Sequence, residues 1–211
     1  MSISPAIAGV ILAAGASSRM GQDKALLPWQ DTTFLGAQIQ SLMPHCELVL
    51  VVAGANADAV KTEIYTRGAF LVVNHHPERG QFSSLRLGLH DVLNRGRDAA
   101  FVALVDRPPA ADATLRRMSE RFREMGWEPE RKWAVVPAAI DPTAMAERHG
   151  HPILINREMI EALLLAPDSS NAREVMHHFS TRIEYLRFED PAVIANVNTP
   201  DEYEHLRGAQ E

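Results

Sequence analysis

A glycine-rich segment near the N-terminus carries two cations at short distances from its glycines. Arg19 lies four residues after Gly15, and Lys24 lies three residues after Gly21. A glycine-rich turn that follows a buried strand exposes backbone N–H groups, and such amides bind phosphate oxygens. Two cations beside those amides suit a triphosphate, although a basic surface turn would explain the spacing equally well. The spacing alone therefore predicts either a phosphate-binding loop or a surface turn.

The segment differs from two common nucleotide-binding motifs. The dinucleotide pattern Gly-x-Gly-x-x-Gly is absent because Ala16 and Ser17 follow Gly15, and the P-loop pattern is absent because Gln22 follows Gly21. We therefore expect neither a dinucleotide-binding fold nor a P-loop kinase.

Alternating strands and helices must position this segment. Short continuous apolar runs are typical of strands buried on both faces of a parallel sheet. They occupy residues 7–13, Leu48–Ala53, Phe70–Asn74 and Ala100–Val105. Helical spacing lies between them, at Thr33–Leu42 after a cap at Asp31 or Thr32, at Asp58–Thr66 before Gly68, and at Ser83–Leu93 before Gly96. This order predicts a three-layer αβα, Rossmann-like fold with a mostly parallel sheet, whose ligands lie beyond the carboxyl ends of the strands.

The second half of the chain has a looser pattern. It predicts helices at Asp112–Met125, Arg157–Leu165 and Asn171–Phe179, strands at Trp133–Val136, Pro152–Asn156 and Ile183–Phe188, and a loop over Ala138–Gly150. Because no repeat, low-complexity tract or linker interrupts residues 1–211, we expect a single domain.

Composition narrows the function classes. A formal net charge of −6 without a clustered basic face argues against sequence-independent binding of nucleic acid. No apolar run approaches the roughly 20 residues that a membrane span needs, and no basic region precedes the first one, so we expect a cytoplasmic protein. The single cysteine, Cys46, cannot form an internal disulfide and is expected to be a buried thiol.

Residues 11–28 resemble the N-terminal motif of the molybdenum cofactor nucleotidyltransferases, L-A-(A/G)-G-x-S-x-R-M-G-x-x-K. The resemblance implies a MobA-like domain with the nucleotide-diphospho-sugar transferase fold. It assigns nucleotide binding to the loop and to two residues that follow later strands, and catalysis to Arg19, Lys24 and Asp106. The nucleotide-binding residues would be Leu12, Ala13, Ala14, Gly15, Arg19, Lys24, Asn74 and Asp106.

The resemblance also implies a magnesium site. Asp106-Arg107-Pro108 follows a predicted strand where the family has Asp-Gln-Pro or Asp-Met-Pro with the Asp as a ligand, and Asn198 stands at a second ligand position. Magnesium needs only one or two carboxylates besides phosphate and water. Asp106 as a cap of the Pro-Pro turn and Thr199-Pro200 as a plain helix start are alternative interpretations. Arg107 departs from the family, and its side chain either points into solvent or alters recognition of the base or acceptor.

Two further stretches resemble acceptor-site motifs. Residues 80–89 match G-(M/Q)-x-x-S-(L/I)-x-x-G-(L/I), in which Ser83 and Ser84 would open a helix and Arg79 or Arg86 would add charge. The resemblance implies acceptor or nucleotide contacts in this stretch. A simple serine N-cap with Arg86 in solvent is the alternative. Residues 149–152 resemble the Gly-His-Pro of the cytidylyl branch, which implies acceptor contacts for His151. Zinc at residues 149 and 151 is a weaker alternative because no third ligand lies nearby.

The resemblance implies transfer of CMP from CTP to the phosphate of molybdopterin or the molybdenum cofactor, with Mg²⁺ and release of pyrophosphate. Leu12-Ala13-Ala14-Gly15 resembles the loop of the CTP branch, whereas Leu-Ala-Gly-Gly is typical of the GTP branch. Guanylyl transfer, a sugar- or polyol-phosphate acceptor, and a non-catalytic accessory protein that binds nucleotide or cofactor stay open. Expected partners are these small molecules and a molybdoenzyme or its maturation chaperone, with no nucleic acid and no membrane.

Overall fold

The computed structural model describes residues 6–15, 23–126 and 131–208. These residues form ten strands, numbered in chain order: β1 Ile7–Leu12, β2 Pro28–Trp29, β3 Thr32–Thr33, β4 Leu48–Ala53, β5 Phe70–Val73, β6 Ala99–Leu104, β7 Ala134–Asp141, β8 Ala146–His149, β9 Ile153–Asn156 and β10 Ile183–Arg187. They also form seven α-helices: α1 Phe34–Leu42, α2 Ala57–Thr66, α3 Gln81–Asn94, α4 Asp112–Met125, α5 Arg157–Leu165, α6 Ala172–His178 and α7 Pro200–Gly208.

The central sheet is mixed but mostly parallel. Its order is β10-β7-β9-β6-β1-β4-β5, and β8 pairs with β7 outside this path. β1 lies between β6 and β4 in a parallel group that also includes β5, while β9 runs antiparallel to β6 and β7. The prediction of a mostly parallel sheet is confirmed.

Alternation along β1 explains why helices cover both faces of the sheet. Ile7 and Ile11 belong to a buried cluster that includes residues of α1, α2 and α4. Ala8, Val10 and Leu12 belong to a second cluster that includes residues of α3 and α5. Because successive side chains of a strand point to opposite faces, an apolar run without polar interruption requires two covering layers. The three-layer prediction is therefore also confirmed.

Two predicted helix starts are wrong in detail. α1 is capped by Thr33, whose hydroxyl accepts a hydrogen bond from the amide of Gly36, and not by Asp31 or Thr32. α3 begins at Gln81 after Gly80, which has φ +88°, a value at which L residues are strained. Ser83 therefore lies within the first turn and is not its N-cap; its hydroxyl donates to the Gly80 carbonyl at 2.8 Å.

The predicted loop over Ala138–Gly150 is wrong, because most of it is the hairpin of β7 and β8. Asp141 ends β7 and accepts hydrogen bonds from the amides of Thr143 and Ala144, which closes the turn. Arg148 pairs with the same carboxylate at 2.9 Å. β8 is exposed along its length, so it lacks the apolar alternation by which a half-buried strand is recognised.

A small third cluster packs the C-terminal segment against the β2–β3 hairpin. Trp29 and Phe34 pack edge to face at 4.7 Å, with Val197 and Tyr203 in the same cluster. The Tyr203 hydroxyl donates to the Pro28 carbonyl. None of the helices in the described part of the chain is long and apolar enough to cross a membrane.

Candidate functional site

The loop after β1 is held by one side-chain amide. Asn56 donates from Nδ2 to the Ala13 carbonyl at 3.0 Å and to Asp23 Oδ2 at 2.7 Å, and its Oδ1 accepts from the Gly54 amide at 3.1 Å. Asn56 thus joins the ends of β1 and β4 to the segment that precedes Lys24. Leu12 ends β1, and Ala13 to Gly15 follow it at this edge, whereas Arg19 lies outside the described residues.

Lys24 stands at the start of a short 3-10 turn, Lys24–Leu26. Asp23 Oδ1 accepts from the Ala25 amide at 3.0 Å and so caps this turn. The Lys24 ammonium donates to Asn198 Oδ1 at 3.3 Å, across 174 residues of sequence. Two residues that the sequence assigns to different roles, phosphate binding and metal binding, are therefore in contact.

Asp106 follows β6, next to Asn198. Its backbone carbonyl accepts from the Val197 amide at 2.7 Å, which places the C-terminal segment beside it. The Oδ1 atom of Asp106 is buried and has no hydrogen-bond partner among the described residues. A buried carboxylate oxygen without a donor is costly unless a cation or proton completes it. Lys24, Asp106 and Asn198 therefore converge on one place beyond the carboxyl ends of β1 and β6.

The buried Gln38 of α1 supports the turn that carries Asp106. Its Nε2 donates to the carbonyls of Leu104 and Arg107 at 3.3 and 2.5 Å. The two carbonyls flank Asp106, so Gln38 holds this carboxylate at the end of its strand. The sequence offers one signal of this supporting role, since Gln38 is a polar residue in the middle of the buried face of a helix.

Arg107 does not point into open solvent. It is half-buried, its Nη1 donates to the Val193 carbonyl at 3.3 Å, and its buried Nε has no partner among the described residues. Burial lowers the pKa of the guanidinium, an effect that Asp106 opposes and Arg148 reinforces. Of the two alternatives for Arg107, the solvated side chain is therefore wrong.

His151 lies near Arg107 and is neutral in the folded protein. Burial, reinforced by the Arg107 charge, lowers the pKa of the imidazole to about 3. Its Nδ1 is buried and unpartnered within the described chain, and its backbone amide donates to the Val193 carbonyl at 2.9 Å. The preceding Gly150 permits this approach, since a Cβ there would lie 1.8 Å from the Val193 oxygen.

The donor set at Asp106 and Asn198 fits magnesium better than zinc. Nowhere in the described ranges do three or more His, Cys, Asp or Glu side chains form a group that could hold a metal ion. His149, one of the two histidines of the zinc alternative, stacks on Tyr185 with ring centroids 4.0 Å apart. Magnesium accepts one carboxylate and an amide oxygen when phosphates and water complete its shell, and the unpartnered Asp106 oxygen offers such a ligand.

Asn74 follows β5 and organises the start of α3. Its Nδ2 donates to the hydroxyls of Ser83 and Ser84 at 3.1 and 2.9 Å, and its Oδ1 accepts from the His76 amide. Ser84 is only 3% exposed. Arg86 pairs with Asp168 and donates to the Leu164 carbonyl at 2.9 Å, so it is not a freely solvated residue.

Curated relatives match nearly the whole chain. The molybdenum cofactor cytidylyltransferase of Escherichia coli strain K12 is 26% identical over 94% of both chains. The nicotine blue oxidoreductase of Paenarthrobacter nicotinovorans is 29% identical over 96% of this chain and 97% of its own. The molybdenum cofactor guanylyltransferase of Xanthomonas euvesicatoria pv. vesicatoria strain 85-10 is 27% identical over 94% and 93%.

Solved structures show the same architecture. Rv0371c from Mycobacterium tuberculosis H37Rv superposes with a TM-score of 0.78 at 30% identity, over 96% of this chain and 98% of that one. Its complex with manganese gives a TM-score of 0.75 at 27% identity over the same shares. The sequence model of the MobA-like NTP transferase domain matches residues 9–184, and the chain therefore belongs to this family of nucleotidyltransferases.

Proposed function

We propose that the protein transfers CMP from CTP to the phosphate of molybdopterin or the molybdenum cofactor and releases pyrophosphate. The observation that carries the proposal is the convergence of Lys24, Asp106 and Asn198 beside the loop after β1. The Lys24 ammonium contacts Asn198 at 3.3 Å, and the adjacent Asp106 presents a buried oxygen without a donor. An arrangement of one cation and one unpartnered carboxylate suits a metal-bound triphosphate.

In this proposal different residues bind the different phosphates of the triphosphate and the metal ion. The backbone from Leu12 to Gly15 and the Lys24 ammonium bind the α-phosphate, and Arg19 binds the β- and γ-phosphates. Asp106 and Asn198 would hold Mg²⁺, which would neutralise phosphate charge when bound. The manganese complex of Rv0371c supports a divalent metal in this fold.

The acceptor phosphate attacks the α-phosphorus, so that one P–O bond forms as the bond to the β-phosphate breaks. A phosphate monoester has its second pKa near ~6, so it is already a dianionic nucleophile at neutral pH. The site therefore needs alignment and charge neutralisation but no general base. Ser83, Arg86 and the neutral His151 contact the acceptor in this proposal, while the buried Ser84 binds Asn74, which also donates to Ser83.

The choice of CTP rests on Ala14 and on Gly150-His151-Pro152, which resemble the cytidylyl branch. The named cytidylyl and guanylyl relatives are almost equally similar, at 26% and 27% identity, so GTP is the second candidate base. One methyl group discriminates between substrates by only about 1–3 kcal/mol. A molybdoenzyme that receives the product is the proposed protein partner.

Pyrophosphate release tests the proposal directly. The wild-type protein is incubated with molybdopterin, Mg²⁺ and either CTP or GTP, and we expect release with CTP. Lys24→Ala is expected to lower turnover by at least roughly a hundredfold without unfolding the protein. Lys61→Ala is the matched control, because Lys61 is an exposed lysine paired with Asp58 on α2.

Other outcomes identify the alternatives. Release of pyrophosphate with GTP alone would identify GTP rather than CTP as the substrate. Nucleotide binding without release of pyrophosphate would favour an accessory protein. Undiminished pyrophosphate release by Lys24→Ala would remove this lysine from the mechanism.

A further inference from the structure

A cavity of about 460 Å³ lies between the end of β5, the start of α3 and the turn after α5. Two arginines line it, Arg79 and Arg86, together with the polar Asn74 and Ser83 and the carboxylate of Asp168. The cavity lies beyond the carboxyl end of a parallel strand, which is where α/β sheets bind ligands. Its charged residues are therefore candidates for ligand recognition.

Both arginines converge on the same carboxylate. Arg79 Nη2 contacts Asp168 Oδ2 at 2.7 Å, and Arg86 Nη1 contacts Asp168 Oδ1. Each of the two guanidinium groups thus donates to one oxygen of the same anion, and phosphate and carboxylate ligands accept charge-assisted hydrogen bonds of this kind. Arg86 also donates to the Leu164 carbonyl and lies 5.9 Å from the centroid of the Phe82 ring, so Asp168 is not its sole contact.

The charges of this trio are unbalanced. Two guanidinium groups carry two positive charges, and Asp168 supplies one negative charge. The ion pairs are also accessible to water, since the side chains of Asp168 and Arg79 are 67% and 57% exposed, and exposed ion pairs contribute little to stability. A dianion would balance both arginines, and Asp168 can leave at small cost.

We propose that this cavity binds a phosphate dianion between Arg79 and Arg86, and that Asp168 is an internal competitor which the phosphate displaces. Asn74 positions the neighbouring Ser83 hydroxyl as an additional donor. The phosphate belongs either to the acceptor or to free inorganic phosphate. Assignment to the acceptor rests on the proposed function, whereas phosphate binding does not.

Contacts between loops connect the cavity to the nucleotide loop. Pro77–Arg79 forms a 3-10 turn that begins against Gly54. A Cβ on Gly54 would lie 3.0 Å from Pro77 Cβ and 3.2 Å from the Ala14 carbonyl oxygen. The turn that bears Arg79 and the loop after β1 therefore flank the same glycine.

The test is a titration with inorganic phosphate, in which calorimetry gives the affinity of every variant and the side-chain Nε–H NMR signals of Arg79 and Arg86 locate the phosphate wherever both arginines are present. We expect these signals to shift, and Asp168→Asn to tighten phosphate binding by roughly two- to fivefold because it removes a competing charge. Arg79→Gln combined with Arg86→Gln should weaken binding roughly tenfold or more. Lys24→Ala should leave these signals and their titration unchanged, which separates the cavity from the nucleotide site.

Asp91→Asn is the matched control, because among the described residues the arginine that pairs with Asp91 is Arg95, the C-cap of α3. Equal or weaker phosphate binding by Asp168→Asn, or unchanged binding by the double arginine variant, would overturn the proposal. In transfer assays, a lower KM of Asp168→Asn for the acceptor assigns the phosphate to the acceptor. An unchanged KM with tighter phosphate binding assigns the cavity to free phosphate.

Discussion

Asn56 joins three segments of the candidate site through one side chain, and its replacement by Asp tests whether that junction shapes the nucleotide loop. The substitution keeps the shape but turns the donor nitrogen into an oxygen. That atom lies 3.0 Å from the Ala13 carbonyl oxygen and 2.7 Å from Asp23 Oδ2. Two attractive contacts become repulsive, while the bond from the Gly54 amide is kept.

The expected magnitude follows from these distances. Two carboxylates whose nearest oxygens lie 2.7 Å apart have charge centres about 4 Å apart, and like charges at that separation repel by about 4 kcal/mol at an effective dielectric constant of about 20. Because Asn56 is half-buried and the loop can move, we expect Asn56→Asp to lower the free energy of unfolding by about 3 kcal/mol at neutral pH. Asn56→Ala loses the three hydrogen bonds without repulsion and should cost about 2 kcal/mol.

Urea unfolding gives the stability, and CTP titration gives the affinity. Both variants should bind CTP less tightly, with Asn56→Asp the weaker, and its deficit in stability should shrink as the pH falls and the new carboxylate is protonated. Asn94→Asp is the control, since Asn94 is exposed and its side chain is hydrogen-bonded to the side chain of His90. Stability and CTP affinity of Asn56→Asp indistinguishable from those of Asn94→Asp would refute the role given to this junction.

Three further predictions concern stability and reactivity. Gly150→Ala places a Cβ 1.8 Å from the Val193 oxygen and should destabilise the protein by about 3 kcal/mol or more in thermal unfolding, whereas Gly126→Ala, whose Cβ would lie 3.2 Å from the Arg123 carbonyl oxygen, should cost much less. His151 has an unfolded pKa of 6.5 and a folded pKa of about 3, so stability falls as the pH drops below 6.5. Between about pH 7.5 and about pH 5 the wild type should lose about 2 kcal/mol more than His151→Gln in urea unfolding, and equal losses would show that the imidazole is not neutral in the fold. Burial raises the pKa of the Cys46 thiol to about 12, so a thiol reagent at mildly alkaline pH should label it only as the protein unfolds; rapid labelling of the folded protein would contradict this.

Continuous apolar strands were the most predictable part of the fold. Leu48–Ala53 is a strand with the predicted bounds, because a strand buried on both faces is apolar at every position. The β7–β8 hairpin could not be predicted in this way, since the exposed β8 is held by Asp141 and Arg148 rather than by burial. The sequence also could not identify Thr33 as the cap of α1, because the nearby Asp31 and Thr32 are equally suitable residue types for a helix cap.

The candidate site likewise contains residues that the sequence could identify and residues that it could not. Lys24, Asp106 and Asn198 could be identified by residue type and motif, and the structure brings them together without testing their roles. Asn56 and Gln38 act through hydrogen bonds to backbone carbonyls far away in sequence, which no local pattern records. Asp168 is likewise an ordinary turn residue until the fold brings two arginines to it.

The contact between Lys24 and Asn198 determines when the candidate site is completed during synthesis of the chain. The chain is synthesised from its N-terminus, so the loop after β1 and Asp106 emerge from the ribosome long before their partner. Contacts that span so much sequence form late, because closing a long loop costs entropy before the contact is made. A nascent chain that ends before residue 197 holds the central parallel strands but lacks the segment that binds Asp106 and Lys24. Completion of the site is thereby coupled to completion of the fold, and a prematurely terminated chain would bind nucleotide poorly even if its sheet were formed.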